Sequence, residues 1–277
     1  MLALLGGCST LRLGYGQADS FLFRYLDRYA DFDDAQSVKA REAIASWFAW
    51  HRKTQLGDYA EVLGRLEGEV MADTTADRVC AWWGEVRTRA DRAFEQAIPA
   101  VVDIAASLKP AQFKSIEERQ AKTNAEYRDD FLQVDPAARR KAAVKRLGGR
   151  AEWLYGDLAP VQRERLVQAV AEAPADPVLT YEERERRQQD ALQTLRRIAS
   201  GSVQGSAAAG EVRAWLQRLE RSPHEPYRLQ SERQVQHNCR VAADLHNAAT
   251  PAQRKVAATR LKGWATDLRS LAGIVGG

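Results

Sequence analysis

Few side chains in this chain are suited to chemistry, and their spacing narrows them further. There are four histidines and three cysteines among 277 residues. His237 and His246 are nine residues apart, half a turn out of phase, so one helix cannot aim both at a single metal ion. Cys239 and His246 share a helical face but lie about 10 Å apart along the axis. That is too far for one zinc ion, whose ligands sit at about 2 Å. The expectation is therefore no metal site. No Gly-rich phosphate loop, nucleophile elbow, HExxH or CxxC is present, so the residues select no catalytic group and imply no cofactor. Three polar side chains interrupt apolar helical faces: His51, one turn after Trp47 and Phe48, and Gln120 and Asn124, within the seam of Phe113, Ile116, Tyr127 and Phe131. Such groups either hydrogen-bond inside a core and fix helix register or line a groove for an extended polypeptide or a lipid.

The remaining cysteine, Cys8, stands in Leu5-Gly6-Gly7-Cys8-Ser9-Thr10. A short apolar run ending in small residues and a cysteine resembles the lipobox of bacterial lipoproteins. That resemblance implies lipidation of the Cys8 sulfur, removal of the residues before it and a membrane anchor. Met1-Leu2-Ala3-Leu4 supplies no Lys or Arg and little apolar length, so residues 1–7 are read as a truncated signal peptide. Residues 8–16 are read as the lipidated cysteine and a tether, and 17–277 as one helical periplasmic domain. Ser9, rather than Asp, after the cysteine implies by the same resemblance sorting to the outer membrane, facing the periplasm. Acyl chains bury at about 0.8 kcal/mol per methylene, so two or more hold a protein on a bilayer without help from its folded part.

An oxidising periplasm would allow Cys80 and Cys239 to pair. The alternative is two separate buried thiols. A bridge would close a loop of more than half the chain, on the order of 4 to 5 kcal/mol in the chain-entropy account.

The elements that must position these residues are helices. Apolar residues recur at three- and four-residue steps: Phe21, Leu22, Tyr25, Leu26 and Tyr29; then Ile44 through Val70 on one side of a long second helix; then Val79 through Phe94, where Pro99 is expected to kink or break the third helix. Helix starts are marked in a repeated way. Asp33 with Gln36 reads as a capping box. Lys109-Pro110-Ala111-Gln112, Ala159-Pro160-Val161-Gln162 and Thr250-Pro251-Ala252-Gln253 each place proline at the first helical position and glutamine at the third. A further start is expected near Thr180 with Glu183, and Ser200–Ser206 reads as a flexible loop. No segment has strand periodicity. The expected fold is all-α: an elongated antiparallel bundle of about ten helices joined by short turns.

Charge excludes one partner class. The 41 basic and 37 acidic residues leave a net charge of +4, and acids and bases interleave, as in Glu182-Glu183-Arg184-Glu185-Arg186-Arg187. Nucleic-acid binding needs cations gathered on one face, so no nucleic acid is expected. No apolar run after Cys8 approaches the roughly 20 residues of a membrane span.

Two wider resemblances follow from these motifs. The Leu-x-Pro-x-Gln helix starts look like the LTxxQ motif of small periplasmic chaperones of the Spy and CpxP kind. Leu11-Arg12-Leu13-Gly14-Tyr15, Leu26-Asp27-Arg28-Tyr29, Trp50-His51-Arg52, Val79-Cys80-Ala81-Trp82-Trp83, Asn124-Ala125-Glu126-Tyr127 and Arg187-Gln188-Gln189-Asp190 resemble an uncharacterised family of proteobacterial lipoproteins. This resemblance implies an envelope lipoprotein with a helical body and no assigned activity. The function expected is non-enzymatic binding, scaffolding or chaperone-like action on a protein or peptide client. The alternative is a cell-envelope enzyme, which would show a deep pocket with converging ionisable groups.

Overall fold

The computed structural model describes residues 10–274. Their helices are α1 (Thr10–Gly16), α2 (Ala18–Ala30), α3 (Asp34–Thr54), α4 (Leu56–Glu69), α5 (Ala76–Ala105), α6 (Pro110–Phe131), α7 (Pro136–Tyr155), α8 (Pro160–Ala171), α9 (Pro177–Ala199), α10 (Gly205–Glu220), α11 (Glu225–Asn247) and α12 (Pro251–Leu271). No strand occurs among the described residues. The fold is all-α, with twelve helices rather than about ten. Cys8 lies outside the described residues.

The two extra helices have identifiable origins. Residues expected to form a tether are helical from Thr10, because Leu11 and Tyr15 pack on the cluster of Leu56, Ala60, Ala265 and Leu268, and Arg12 pairs with Asp267 at 3.2 Å. The long second helix is divided at Gln55, whose φ of −113° turns the chain. Leu56 and Ala60 are thereby fully buried against α12. Pro99, by contrast, breaks nothing: α5 runs through it for 30 residues. An interior proline costs about 3 kcal/mol. Here it is offset by the packing of Ile98, Val101 and Val102 against α9 and α10 on both sides of the proline. The helix expected near Thr180 starts earlier, at Pro177, where Asp176 accepts from the amides of Val178 and Leu179. Glu183 is therefore free of any capping role.

The four capping glutamines do more than cap. Each Oε1 accepts its own N-cap amide: Gln36 from Asp33, Gln112 from Lys109, Gln162 from Ala159 and Gln253 from Thr250. Lys109 and Ala159 offer no side-chain acceptor, so at those starts only the glutamine half of the box forms. The side chains then join in reciprocal amide pairs, Gln36 with Gln112 (3.0 and 2.7 Å) and Gln162 with Gln253 (3.2 and 2.9 Å). Each Nε2 also donates to the carbonyl two residues before its partner's N-cap, at Ser107, Asp31, Ala248 and Asp157. One local rule thus ties the start of α3 to that of α6, and the start of α8 to that of α12. Gln162 is fully buried. Gln162→Leu leaves the Ala159 amide without its partner and takes from Gln253 both of its hydrogen bonds to Gln162, and is expected to lower stability by about 2 kcal/mol. Urea unfolding measures this; an unchanged midpoint would show that the amide pair is not formed.

Helix packing divides the fold into two parts. In one, α4, α7, α8 and α12, with part of α11, bury Tyr155, Leu166, Leu245, Leu261 and Leu268. In the other, α2 packs on α3 and α6, α3 on α5, α5 on α9, and α9 on α6, which closes a ring of helices. The apolar clusters of this second part sit at the seams. Phe23, Ala40 and Ile44 join α2 to α3; Ala30, Phe113, Ile116 and Leu192 join α2, α6 and α9; Ile98, Ile198 and Val212 join α5, α9 and α10. The chain exposes 16725 Å², against about 12,000 Å² expected for a compact chain of its mass.

Candidate functional site: an apolar groove within a helix ring

Because the clusters occupy the seams, the centre of the ring is left unfilled. The reason lies in side-chain size: α5 turns Ala90, Ala93, Ala97 and Ala100 toward the lumen, and α3 opposes them with Ala40 and Ala43. The resulting cavity is about 1200 Å³, larger than the roughly 300–1,000 Å³ of common small-molecule sites. Trp47 braces it, donating from Nε1 to the Ala93 carbonyl at 2.9 Å and so holding α3 at a fixed distance from α5. The groove opens to solvent along α2 and α5, where Tyr25 is 55% and Phe94 is 56% exposed.

The apolar residues expected to seat α2 therefore have a different role. Phe23 and Ala30 bury that helix, whereas Leu22, Tyr25, Leu26 and Tyr29 face the lumen. A helix that is apolar on two faces can pack with one and leave the other uncovered, here toward the unfilled space.

Polar groups gather at one end of the lumen. Gln120 reaches it from α6, Arg184, Arg187 and Gln188 from α9, and Tyr227 from α11. The Arg184 guanidinium lies 5.0 Å from the centre of the Tyr127 ring and donates to Asn124 Oδ1 at 2.7 Å and Thr123 Oγ1 at 3.3 Å. Arg187 lies 5.3 Å from the Tyr227 ring centre and donates to Glu183 at 2.7 Å. A hydrogen bond to Tyr29, reinforced by burial, raises the pKa of Tyr25, and burial raises that of Tyr127. Both phenols thus stay protonated and can donate.

The residues singled out by sequence divide between the two roles considered. Gln120 lines the groove. Asn124 stands behind it, in a reciprocal amide pair with Gln188 at 2.7 and 2.9 Å, and fixes both Gln188 and Arg184. His51 is a core group: it stacks on Trp47 at 4.7 Å, and its Nδ1 lies 2.8 Å from the Tyr15 hydroxyl. Burial lowers its pKa, so the ring is neutral and can accept from Tyr15, which ties α1 to α3. Cys80 and Cys239 are joined by a disulfide linking α5 to α11, with Cα atoms 5.5 Å apart, away from the groove. His237 bonds the Ala169 carbonyl, and His246 bridges the Tyr155 hydroxyl and the Ala72 carbonyl. Among the described residues no group of three or more His, Cys, Asp or Glu could hold a metal ion, and no helix is long and apolar enough to cross a membrane. A second cleft, about 670 Å³, is lined by Arg87, Glu220, Arg228, Glu232 and Arg240. Its walls are charged and carry an Arg87–Glu220 ion pair, so it does not extend the apolar groove.

The alanine stripe and the second face of α2 were the residues that sequence reasoning missed as site residues. Their signal was present: alanines at three- and four-residue steps on a helix whose other face carries Ile98 and Val102.

The described residues thus form an all-helical scaffold around a solvent-open apolar groove. A model of a family of unknown function, DUF6279, matches residues 28–207, and the chain belongs to that family. The matched span contains α3, α5, α6 and α9, four of the ring's walls. No curated protein and no solved structure matches the chain.

Proposed function

We propose that this protein is a non-enzymatic binding module of the cell envelope, anchored to the outer membrane by lipid on Cys8, that takes an apolar ligand into the groove of its helix ring. The groove itself carries this reading: about 1200 Å³ of space bordered mainly by alanine, aromatic and aliphatic side chains, with apolar rim residues left in solvent. The lipobox-like Cys8 and a disulfide suited to an oxidising compartment support the location. The carboxylate at the groove, Glu183, is fully engaged by Arg186, Arg187 and Ser222, which favours binding over acid–base chemistry.

The test uses the neutral fluorescent probe N-phenyl-1-naphthylamine. Saturable emission enhancement is expected with the native protein. Ala97→Trp, which fills the lumen from the α5 wall, should weaken binding at least about tenfold, the effect of blocking an apolar pocket. Ala43→Leu, on the facing wall, serves as a second variant, and circular dichroism confirms that both remain helical. Equal binding by native and folded lumen-filled proteins would overturn the proposal.

A further inference from the structure

The groove is asymmetric, and its asymmetry specifies a ligand class. At one end the walls are Ala40, Ala43, Ala93, Ala97 and Ala100, with no charge among them. At the other, guanidinium groups and phenols converge. Among the described residues Arg184 donates only to an amide oxygen and a hydroxyl, and no carboxylate pairs with it. Arg119, next to Gln120, does not line the groove but stands against its wall, 5.8 Å from the Tyr29 ring centre, and its buried Nε has no hydrogen-bond partner among the described residues. The nearby acids do not balance these cations. Glu183 is shared by Arg186 and Arg187, and Asp190 by Arg186 and Arg218. Buried donors without partners are costly and rare, and guanidinium forks match phosphate geometry.

We infer that the groove binds a diacyl phospholipid with a net negative head group, its phosphate held by Arg184 among the tyrosine hydroxyls and attracted by the Arg119 charge behind Tyr29, and its acyl chains lying along the alanine walls of α3 and α5. The volume favours two chains over one, and the solvent-exposed rim at Tyr25 and Phe94 gives the chains a route in. This assignment rests on the groove being a binding site.

The experiment measures binding of acyl-labelled phosphatidylglycerol, phosphatidylcholine, diacylglycerol and oleate to the purified protein, and to the Arg184→Gln, Arg119→Gln and Ala97→Trp variants. Phosphatidylglycerol should bind about tenfold more tightly than diacylglycerol, the scale of one charge-assisted contact. Arg184→Gln should bring phosphatidylglycerol binding down to the level of diacylglycerol binding. Arg119→Gln serves as the second variant because it removes no existing hydrogen bond at Nε. Rising salt should narrow the preference. Equal affinities for phosphatidylglycerol and diacylglycerol, arginine variants that bind phosphatidylglycerol as the native protein does, or preferred binding of oleate would overturn the head-group assignment. In those cases loss of all binding in Ala97→Trp would leave the groove reading standing. No binding of any lipid or of N-phenyl-1-naphthylamine would overturn both.

Discussion

Replacing both bridged cysteines, Cys80→Ser with Cys239→Ser, is expected to lower the folding free energy by about 5 kcal/mol. The bridge spans a sequence separation of 159 residues, so an unfolded chain that retains it loses much of the freedom it would otherwise have. In the native state it joins helices that already pack together, α5 and α11, so closing it asks little of the folded structure. Cys239 is buried, and reduction would leave a weakly bonding thiol in the place of a cross-link. For a chain of this size the loss corresponds to roughly 10 °C or more in Tm. Thermal melts with and without reductant provide the measurement. The native protein should lose stability on reduction, and the double variant should melt at the same temperature in both conditions. Alkylation at the moment of lysis tests the bridge in the cell: two thiols from this pair free in the unreduced protein would remove the bridge and the support it lends to a periplasmic location.

How far the sequence disclosed the fold depended on whether the determining interactions were local. Helix starts were legible at Asp33, Pro110, Pro160 and Pro251 because a cap and a third-position glutamine act within four residues. That these glutamines pair across the fold was not legible, since the spacings of 76 and 91 residues between partners carry no periodic signal. Pro99 misled for the complementary reason. Its intrinsic effect is local, but the packing of Ile98 and Val102 that overrides it is tertiary. The corner at Gln55 was hidden because Ile44 to Val70 keeps helical spacing across the bend. The candidate site was half visible. Gln120 and Asn124 were marked as polar interruptions of an apolar seam, and both belong to the polar end of the groove or to its support. The groove itself depends on which apolar residues remain unburied, and α2 shows why hydropathy alone cannot tell: Phe23 is 4% exposed and Tyr25 55%, although both are apolar residues of one helix.

Glu183 provides the second large expected effect. Its side chain is 1% exposed, and its two oxygens accept from Arg186 at 2.8 and 2.9 Å, from Arg187 at 2.7 Å and from Ser222 at 2.9 Å. Ser222 in turn accepts the His224 amide at 3.1 Å, and Arg186 reaches Asp190, which Arg218 also binds. The carboxylate therefore joins α9 to α10 and to the start of α11. Burial alone would raise its pKa, but the hydrogen bonds from Arg186, Arg187 and Ser222 outweigh burial and bring it down to about 2 from the ordinary 4.5. A carboxylate whose pKa is depressed on folding stabilises the native state above its unfolded value. That contribution is lost as pH falls through the folded one. For Glu183 the contribution is complete above about pH 4.5 and gone near pH 2, with a size of about 3 kcal/mol. Glu183→Gln keeps the shape but removes the charge. It leaves guanidinium groups and a buried hydroxyl around a neutral amide, so it should destabilise by about 3 to 5 kcal/mol at neutral pH. Urea unfolding of native protein and variant across this range isolates the residue, because every other carboxylate, Asp190 included, is common to both. The difference between them should shrink steadily from pH 4.5 toward pH 2. A difference that stays constant with pH would mean that the charge at its centre is not what holds the three helices together.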